Sequence, residues 1–483
     1  MAIELLNRLQ RHARETPDRV AYREVTAGGR AMTYAQLAAA LRAFASHLRR
    51  RLPSGSVAMF CLPNVLEYPA AHLGILAAGL SVFPVSTDSA PAELKALASE
   101  SGAAAVIGTD RACAALAEVV RVVIPATEVL AQSNVDDTAP NDAGGDLLLC
   151  SSGTTGRPKI VVRSAASVDA VSANMVEGVG FRPDDRVLAI VPLCHSYGVE
   201  HGLLAPVWAG STVHLCAGLD LAVVMRQLAG GGVTLFPGVP SAYDMICQVA
   251  APQPLPALRK AYAAGAPLPP AVYESFQQRF GVRIGQLYGA TEIGSVAYAD
   301  PDAPHFDPRA VGRPFTGVRV RIVDPQTRSD VPAGAQGEVL ISAPSMLSGY
   351  LNETTPAAVD GAFPTGDLGR LDEHGNLTIT GRLKLLIEVG GHKVNVLEVE
   401  DLLARHPSVA EAAVVAMKVS ETVSRLKAVV TPRDAARPPS PDELRQFLRE
   451  RLTAYKVPRV IEVRPALPRS ASGKILRRLL ETT

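Results

Sequence analysis

Short apolar runs alternate with helix-like segments over the first two thirds of the chain. The helix-like segments carry apolar residues at the spacing of one helix face, for example Leu37, Leu41, Phe44 and Leu48. The runs that predict buried strands are 56–62, 82–85, 103–107, 187–191, 212–215, 233–236 and 282–287. Because two parallel strands need a crossover connection, usually a helix, this alternation predicts parallel α/β units.

The pattern changes after residue 318, where β-like runs and turns predominate. These runs are 318–323, 337–341 and 375–380. Later, Ser440, Pro441 and Glu443 have the N-cap, N1 and N3 spacing of a helix start. We predict an α/β protein with a large N-terminal domain (1–383) of mixed α/β sheets plus a β-rich subdomain, followed by a small C-terminal α/β domain (384–483).

The composition argues against several functional classes. The 483 residues carry a formal net charge of +1, which gives no electrostatic signature for nucleic acid or an anionic membrane. No apolar run reaches the length of a transmembrane helix, and the N-terminus is charged from Glu4 onward without a secretory apolar region. The six cysteines are widely spaced and form no C-x-x-C pair. We predict a cytoplasmic protein with free thiols, no nucleic-acid partner and no membrane span.

The stretch 147–163 places a polar loop between two β-like runs. Its loop residues are Ser151, Ser152, Gly153, Thr154, Thr155, Gly156, Arg157, Pro158 and Lys159. The glycines let successive N–H groups turn inward, and the hydroxyl and basic side chains add donors, as a loop that wraps a polyphosphate requires. The usual P-loop spacing is absent, and Lys159 leads into a β-prone run rather than a helix. An ordinary hairpin turn is the alternative.

Two further motifs follow predicted strands, whose C-terminal ends are where open α/β sheets bind ligands. PLCHSYG places His195 after one strand, although a lone histidine there is more often structural. In YGATEIG, Tyr288 offers a ring for a base, Thr291 a hydroxyl for phosphate and Glu292 a carboxylate for Mg²⁺. A loop bounded by glycines is the alternative.

Two motifs lie nearer the C-terminus. PTGDLGR places Asp367 in a predicted tight turn, where an ionised carboxylate could accept both hydroxyls of a ribose. PRSASGK places Lys474 on a Ser/Gly loop, from which it could swing in to stabilise developing negative charge. An Asx-type turn and a solvated surface lysine are the respective alternatives.

In order and spacing, these motifs resemble those of the adenylate-forming superfamily of acyl- and aryl-CoA synthetases, adenylation domains of nonribosomal peptide synthetases and beetle luciferases. The resemblance extends from about residue 30 to residue 478. Its motifs are SSGTTGRPK (151–159), PLCHSYG (192–198), AAGAPL (263–268), YGATEIG (288–294), TGDLGR (365–370), GNLTITGRLK (375–384), VGGHKVNVLEVE (389–400) and PRSASGK (468–474).

The resemblance implies a two-step reaction and a small C-terminal domain that rotates about a hinge. A carboxylate and Mg·ATP would give an acyl-adenylate and pyrophosphate, and a thiol or other nucleophile would then displace AMP. The implied ATP-binding residues are Ser151, Ser152, Gly153, Thr154, Thr155, Gly156, Lys159, Gly265, Ala266, Tyr288, Gly289, Thr291, Asp367 and Arg382.

Individual roles also follow from the resemblance. The loop at 154–159 would hold the β- and γ-phosphates, Tyr288 would stack on adenine, and Asp367 and Arg382 would bind the ribose. The implied catalytic residues are Lys474, which would bridge carboxylate and α-phosphate, His195 beside the acyl carboxylate, Thr291 at the α-phosphate and Glu292 at Mg²⁺. Lys384 matches the hinge, followed by Leu385 where relatives usually have an acidic residue, and Gly390 and Gly391 would border the pantetheine channel.

The motifs constrain the identity of the acid and of the acceptor less than they constrain the ATP site. The predicted acid-pocket residues, mostly small and apolar, are His195, Val199, Val239, Ser241, Ala264, Gly289 and Ile293. They favour an aryl or modest-length aliphatic acid. No Asp that could bind an α-ammonium follows the His195 motif, although Glu200 could mimic it. CoA is the predicted acceptor. A carrier protein acting in trans, an amine acceptor and a non-catalytic protein that binds AMP or an acyl ligand are the alternatives.

Overall fold

The computed structural model describes residues 3–25, 29–132, 144–151, 159–352, 358–389, 392–418, 424–469 and 475–481. The chain divides into two compact units. The first contains Met1–Arg319 and Ile341–Phe363, and the second contains Val320–Leu340 and Pro364–Thr483. The domain boundary at residues 383 and 384 stays a prediction.

The strands and helices are defined here in chain order. The strands are β1 (Val20–Glu24), β2 (Ala31–Thr33), β3 (Val57–Cys61), β4 (Ser81–Pro84), β5 (Ala105–Gly108), β6 (Val122–Pro125), β7 (Leu147–Ser151), β8 (Lys159–Arg163), β9 (Arg186–Ala189), β10 (Thr212–Leu215), β11 (Leu235–Gly238), β12 (Lys260–Ala263), β13 (Ile284–Ala290), β14 (Gly294–Ala299), β15 (Arg313–Pro314), β16 (Arg319–Val323), β17 (Gly337–Ser342), β18 (Gly349–Tyr350), β19 (Phe363–Leu371), β20 (Leu377–Arg382), β21 (Leu386–Val389), β22 (His392–Asn395), β23 (Val409–Lys418), β24 (Ser424–Pro432) and β25 (Val460–Val463). The α-helices are α1 (Glu4–Glu15), α2 (Tyr34–Arg49), α3 (Glu67–Ala77), α4 (Pro91–Ser101), α5 (Asp110–Leu116), α6 (Ala165–Met175), α7 (Ser196–Val199), α8 (Ala205–Ala209), α9 (Leu221–Ala229), α10 (Pro240–Val249), α11 (Pro270–Phe280), α12 (Val396–Ala404) and α13 (Pro441–Arg449).

Two sheets form the framework of the first unit. One has the strand order β15-β14-β13-β12-β11-β9-β10-β1-β2, and the other has the order β18-β8-β7-β4-β3-β5-β6. Their central pairs are parallel, for example β11 with β12 and β3 with β4. The predicted parallel α/β arrangement is therefore confirmed.

Helix α2 shows how local sequence and packing agree in this unit. Thr33 Oγ1 accepts from the Gln36 amide and the Gln36 side chain accepts from the Thr33 amide, which completes a capping box. The predicted apolar face, including Leu37 and Phe44, is fully buried. Burying such a side chain stabilises a fold by about 1.5–3 kcal/mol.

The second unit contains three smaller sheets. Their strand orders are β16-β17-β19-β20, β21-β22 and β23-β24-β25. Helix α13 begins with the predicted capping box between Ser440 and Glu443, and Pro441 occupies its first turn. Leu444 and Leu448 of this helix are buried in a core with α12 and β23–β25.

Two differences from the predicted structure concern motif residues. Strand β13 continues through Tyr288 to Ala290, because antiparallel pairing with β14 extends it past residue 287. Asp367 lies within strand β19 rather than in a tight turn, since pairing with β20 continues through an irregularity between Leu368 and Gly369. Within the described ranges, every helix is too short or too polar to cross a bilayer.

Candidate active site

Four loops of the first unit begin at one edge of the same sheet. Strands β9, β11, β12 and β13 run parallel to one another, so the segments that follow them meet at their C-terminal ends. The predicted site residues that follow these strands are His195, Val199, Val239, Ser241, Ala264, Gly265, Ala266, Thr291, Glu292 and Ile293. The structure therefore gathers motifs that lie far apart in the sequence.

The predicted phosphate loop is carried by a hairpin. Strands β7 and β8 pair antiparallel, with Ser151 opposite Lys159. Ser151 is buried, and the Nζ atom of Lys159 lies 4.9 Å from the centre of the Tyr350 ring. The predicted residues Ser152, Gly153, Thr154, Thr155 and Gly156 lie outside the described residues.

Tyr350 also contacts the segment after β13. Its hydroxyl donates to Glu292 Oε1 at 3.1 Å, while the Leu347 amide donates to the Glu292 carbonyl at 2.7 Å. Thr291 and Glu292 are both half-buried. One aromatic side chain thus contacts both the phosphate-loop lysine and the predicted magnesium ligand.

Glu292 is the candidate magnesium ligand. Among the residues with described positions, no group of three or more His, Cys, Asp or Glu side chains is arranged to hold a metal ion. In nucleotide sites Mg²⁺ is usually held by one or two carboxylates together with substrate phosphates and water. A single accessible carboxylate therefore fits this kind of site.

The predicted adenine-binding positions differ in exposure. Tyr288 is buried within β13, whereas Gly289, Gly265 and Ala266 are exposed. A Cβ atom on Gly289 would lie 2.4 Å from the Gly294 carbonyl oxygen, so only glycine fits this close approach of β13 and β14.

His195 is half-buried and immediately precedes α7, as its N-cap residue. A small apolar pocket lies beside this helix, and its lining residues are Ala189, Val191, Tyr197, Gly198, His201, Gly202 and Pro237. Of the predicted pocket residues, Val239 and Ser241 are half-buried and Ala264 is buried. Val199 and Ile293 have no exposed surface.

His201, which the sequence analysis did not select, is the polar group of this pocket. Its Nδ1 atom lies 2.7 Å from the Tyr262 hydroxyl, and Nε2 lies 3.4 Å from Ser295 Oγ. Complete burial lowers the pKa of His201 to about 3, so the imidazole is neutral at physiological pH. A histidine in the middle of an apolar helix was the available sequence signal.

The Glu200 carboxylate is hydrogen-bonded to other protein groups, so in this structure it cannot bind a substrate ammonium as an Asp would. Its side chain is only 2% exposed. It accepts hydrogen bonds from Ser196 Oγ at 2.9 Å, from the Ser295 amide at 3.0 Å and from Ser295 Oγ at 2.6 Å. It also pairs with Arg163, which is not one of the predicted site residues.

In the second unit, Asp367 and Arg382 are opposite each other on β19 and β20. Arg382 Nε lies 2.7 Å from Asp367 Oδ1. The two residues predicted to bind the ribose are therefore brought together. Asp367 is buried and Arg382 is exposed, so the pair extends from the sheet towards solvent.

Three other predictions fall at or beyond the limits of the described residues. Lys384 lies in the 3₁₀ turn Leu383–Leu385, between β20 and β21. Gly390, Gly391 and Lys474 lie outside the described residues.

The family model described as AMP-binding enzyme matches residues 9–351, and the model described as AMP-binding enzyme C-terminal domain matches residues 398–474. The second match corresponds to the smaller C-terminal domain.

Two curated relatives and one solved structure illustrate the similarity. The chain is 32% identical to 4-coumarate–CoA ligase-like 9 of Oryza sativa subsp. japonica, with 96% of this chain and 89% of the relative covered. It is 32% identical to feruloyl-CoA synthase of Amycolatopsis sp, with 97% and 96% covered. ATP-bound MatB from Rhodopseudomonas palustris has a TM-score of 0.93 at 25% identity, with 100% of this chain and 98% of that chain covered.

Proposed function

The chain belongs to the AMP-binding enzyme family, and we therefore propose that it is an AMP-forming acid–CoA ligase. In the first step a carboxylate oxygen would attack the α-phosphorus of ATP and displace pyrophosphate. In the second step the thiol sulfur of CoA would attack the acyl carbon and displace AMP. A cytoplasmic location is part of the same proposal.

The position of Tyr350 is the observation that carries this proposal. Its hydroxyl contacts Glu292, and its ring lies against Lys159. A cation suited to the β- and γ-phosphates and a carboxylate suited to Mg²⁺ are thus held side by side. Bound there, Mg²⁺ would neutralise phosphate charge during the displacement.

The residues of the chain would supply orientation and donors. Charge accumulates on the α-phosphate oxygens as the carboxylate attacks, so cationic and hydroxyl donors aimed at them accelerate the step. Thr291 and Lys474 would be those donors, His195 would lie beside the acyl carboxylate, and Tyr288 would support the adenine. Asp367 and Arg382 would bind the ribose hydroxyls.

The apolar lining of the pocket beside α7 favours an uncharged acyl group over a charged one. Its described lining contains apolar side chains and glycines, together with Tyr197 and the neutral His201. Glu200 is occupied by Arg163 and the two serines, which argues against an α-amino acid. The names of the coumarate and ferulate relatives support an aryl acid, and a modest-length aliphatic acid is the second candidate.

The test measures ATP-dependent pyrophosphate release with panels of aryl, alkyl and amino acids, each with and without CoA. Acyl-adenylate and thioester are followed by mass spectrometry, and reactions without acid provide the background. We expect turnover with one class of uncharged acid and an acyl-CoA product.

Other results would assign a different function. Adenylate that accumulates despite CoA would overturn the CoA assignment and indicate a carrier protein or an amine as acceptor. No pyrophosphate release with any acid would favour a protein that only binds AMP or an acyl ligand.

A further inference from the structure

We propose that the buried Arg163–Glu200 pair is a positioning device that holds the Thr291–Glu292 segment for ATP. This inference rests on the proposed function, in which Thr291 contacts the α-phosphate and Glu292 holds Mg²⁺. Arg163 and Glu200 act through these residues and touch no substrate themselves.

The pair connects three segments that carry predicted motifs. Arg163 ends strand β8, which leaves the phosphate loop, and Glu200 follows α7, which begins after His195. The Arg163 and Glu200 side chains are 1% and 2% exposed, and Nη1 lies 3.4 Å from Oε1. A charge pair buried this completely fixes the geometry of its elements, because neither charge can be exposed to water without a large rearrangement.

Arg163 directly contacts the segment after β13. Its Nη1 atom donates to the Thr291 carbonyl at 3.3 Å. A Cβ atom on Gly294, whose φ is +72°, would lie 2.9 Å from Arg163 Nη2. The guanidinium therefore packs against the end of this segment, where the positive φ of Gly294 favours glycine.

Three successive carbonyls of this segment are fixed by different donors. Arg163 Nη1 binds the Thr291 carbonyl, the Leu347 amide binds that of Glu292 at 2.7 Å, and Ser345 Oγ binds that of Ile293 at 2.6 Å. These three hydrogen bonds consequently fix the orientation of the backbone that carries the Thr291 and Glu292 side chains.

Ser167 joins Arg163 to this set of donors. Arg163 Nε donates to Ser167 Oγ at 2.6 Å, and Ser167 Oγ donates to the Ser345 carbonyl at 2.7 Å. Glu200 fixes the far side of the segment by accepting from the amide and hydroxyl of Ser295. Loss of Arg163 would release one carbonyl, leave Glu200 without its counter-charge and loosen the contact with Ser345.

The test compares Arg163→Met with Arg259→Met in the full-length protein. Arg259 pairs with the buried Asp185 at 2.6 Å, and these residues precede β12 and β9 at the opposite edge of the same sheet. Each variant therefore removes an arginine that is paired with a buried carboxylate, and only the Arg163 pair lies beside the predicted site. Mg·ATP affinity is measured by calorimetry, and kcat and KM by pyrophosphate release, well below the unfolding temperature.

We expect Arg163→Met to raise the Kd for Mg·ATP about 10-fold and to lower kcat about 100-fold, as removal of groups that orient direct ligands does. Arg259→Met is expected to lower the unfolding temperature while Kd and kcat of the folded protein stay within about twofold, because its contacts lie away from the segment. Equal Kd and kcat in wild type and folded Arg163→Met would overturn the inference.

If Arg163→Met does not fold, a milder pair of variants tests the same inference. Ser167→Ala removes the acceptor of Arg163 Nε, whereas Ser172→Ala on the same helix removes only a hydroxyl bonded to the Val168 carbonyl. We expect the Kd for Mg·ATP to rise about 5-fold for Ser167→Ala alone, because this variant loses the hydrogen bonds of the Ser167 hydroxyl to Arg163 and to the Ser345 carbonyl. Equal Kd values for the two variants would contradict the proposal that Arg163 positions the Thr291–Glu292 segment.

The binding measurement separates this inference from the proposed function. If wild type binds Mg·ATP but activates no acid, the proposed ligase activity fails and the Kd comparison still tests the network. If wild type does not bind Mg·ATP, both proposals are wrong.

Discussion

At the scale of single residues, the side chain of His72 is completely buried and uncharged. It lies on α3 against the rings of Phe60 and Tyr68, with centroids 5.8 and 6.1 Å away. Neither ring nitrogen has a hydrogen-bond partner among the described residues. Burial lowers the pKa of His72 to about 3, so the folded protein keeps this side chain neutral.

We predict that His72→Phe makes the stability of the protein less sensitive to acid. In the unfolded chain this histidine has a pKa of about 6.5, so between pH 6.5 and 3 the unfolded state binds the proton and the folded state does not. Stability is therefore lost as pH falls, by about 1.4 kcal/mol per unit. Between pH 7.5 and 5 the loss should be about 2 kcal/mol smaller in His72→Phe than in wild type, as measured by urea unfolding.

A surface histidine provides the control for this measurement. The side chain of His374 is 37% exposed, so His374→Phe should change the pH dependence less than His72→Phe does. An identical pH dependence for His72→Phe and wild type would show that His72 accepts a proton in the folded state.

At the scale of elements, the sequence predicted those features that depend on local pattern. The predicted capping box that begins α13 needs residues only three positions apart, and it is present. The alternation of apolar runs and amphipathic helices predicted the parallel strands, because each crossover requires it. The end of β13 was misplaced, since Tyr-Gly-Ala resembles a loop until its antiparallel partner is known.

Long-range polar contacts could not be predicted from the sequence. Arg163 ends an apolar run and Glu200 follows a motif 37 positions later, and nothing in their local patterns indicates that they meet. Tyr350 was likewise not selected, because its two contacts come from residues in separate motifs. The predicted motifs supplied the residue types for chemistry, and tertiary packing determined which of them share a partner.

The described residues on either side of the stretch that contains Lys474 contact each other and helix α12. Arg469 pairs with Ile475 as an isolated β-bridge, and the Leu476 amide donates to the Pro468 carbonyl at 2.8 Å. Arg477 Nη2 donates to Glu400 Oε2 at 2.7 Å. Arg477 is thus paired with a carboxylate of α12.

We predict that Lys474→Ala lowers the rate of pyrophosphate release about 100-fold to 1,000-fold, because it removes a charge contact realised in the transition state. Thioester formation from supplied acyl-adenylate should change little. Lys456→Ala provides a matched control, since Lys456 is a lysine of the same unit paired with Glu398 at 2.7 Å. Unchanged pyrophosphate release with normal acid and ATP binding would show that Lys474 has another role.

At the scale of the whole molecule, the proposed reaction needs two different sets of groups around one acyl carbon. Lys474 is predicted to serve the first step, and the region of Gly390 and Gly391 is predicted to serve the second. Both lie C-terminal to Lys384 in the sequence, so one rotation about this residue would exchange them. The 3₁₀ turn Leu383–Leu385, between β20 and β21, contains the backbone at which that rotation would occur.

We predict that Lys384→Pro impairs thioester formation more than adenylation. Proline fixes its own φ and restricts the residue before it, so the chain could no longer change conformation at this turn. Pyrophosphate release should stay within about threefold of wild type while thioester formation from supplied adenylate falls by about tenfold or more. Lys384→Ala removes the same side chain without restricting the backbone, and both half-reactions should then remain close to wild type. Equal loss of the two half-reactions in Lys384→Pro would place the hinge elsewhere, because a change confined to the pivot cannot affect a step completed before the rotation.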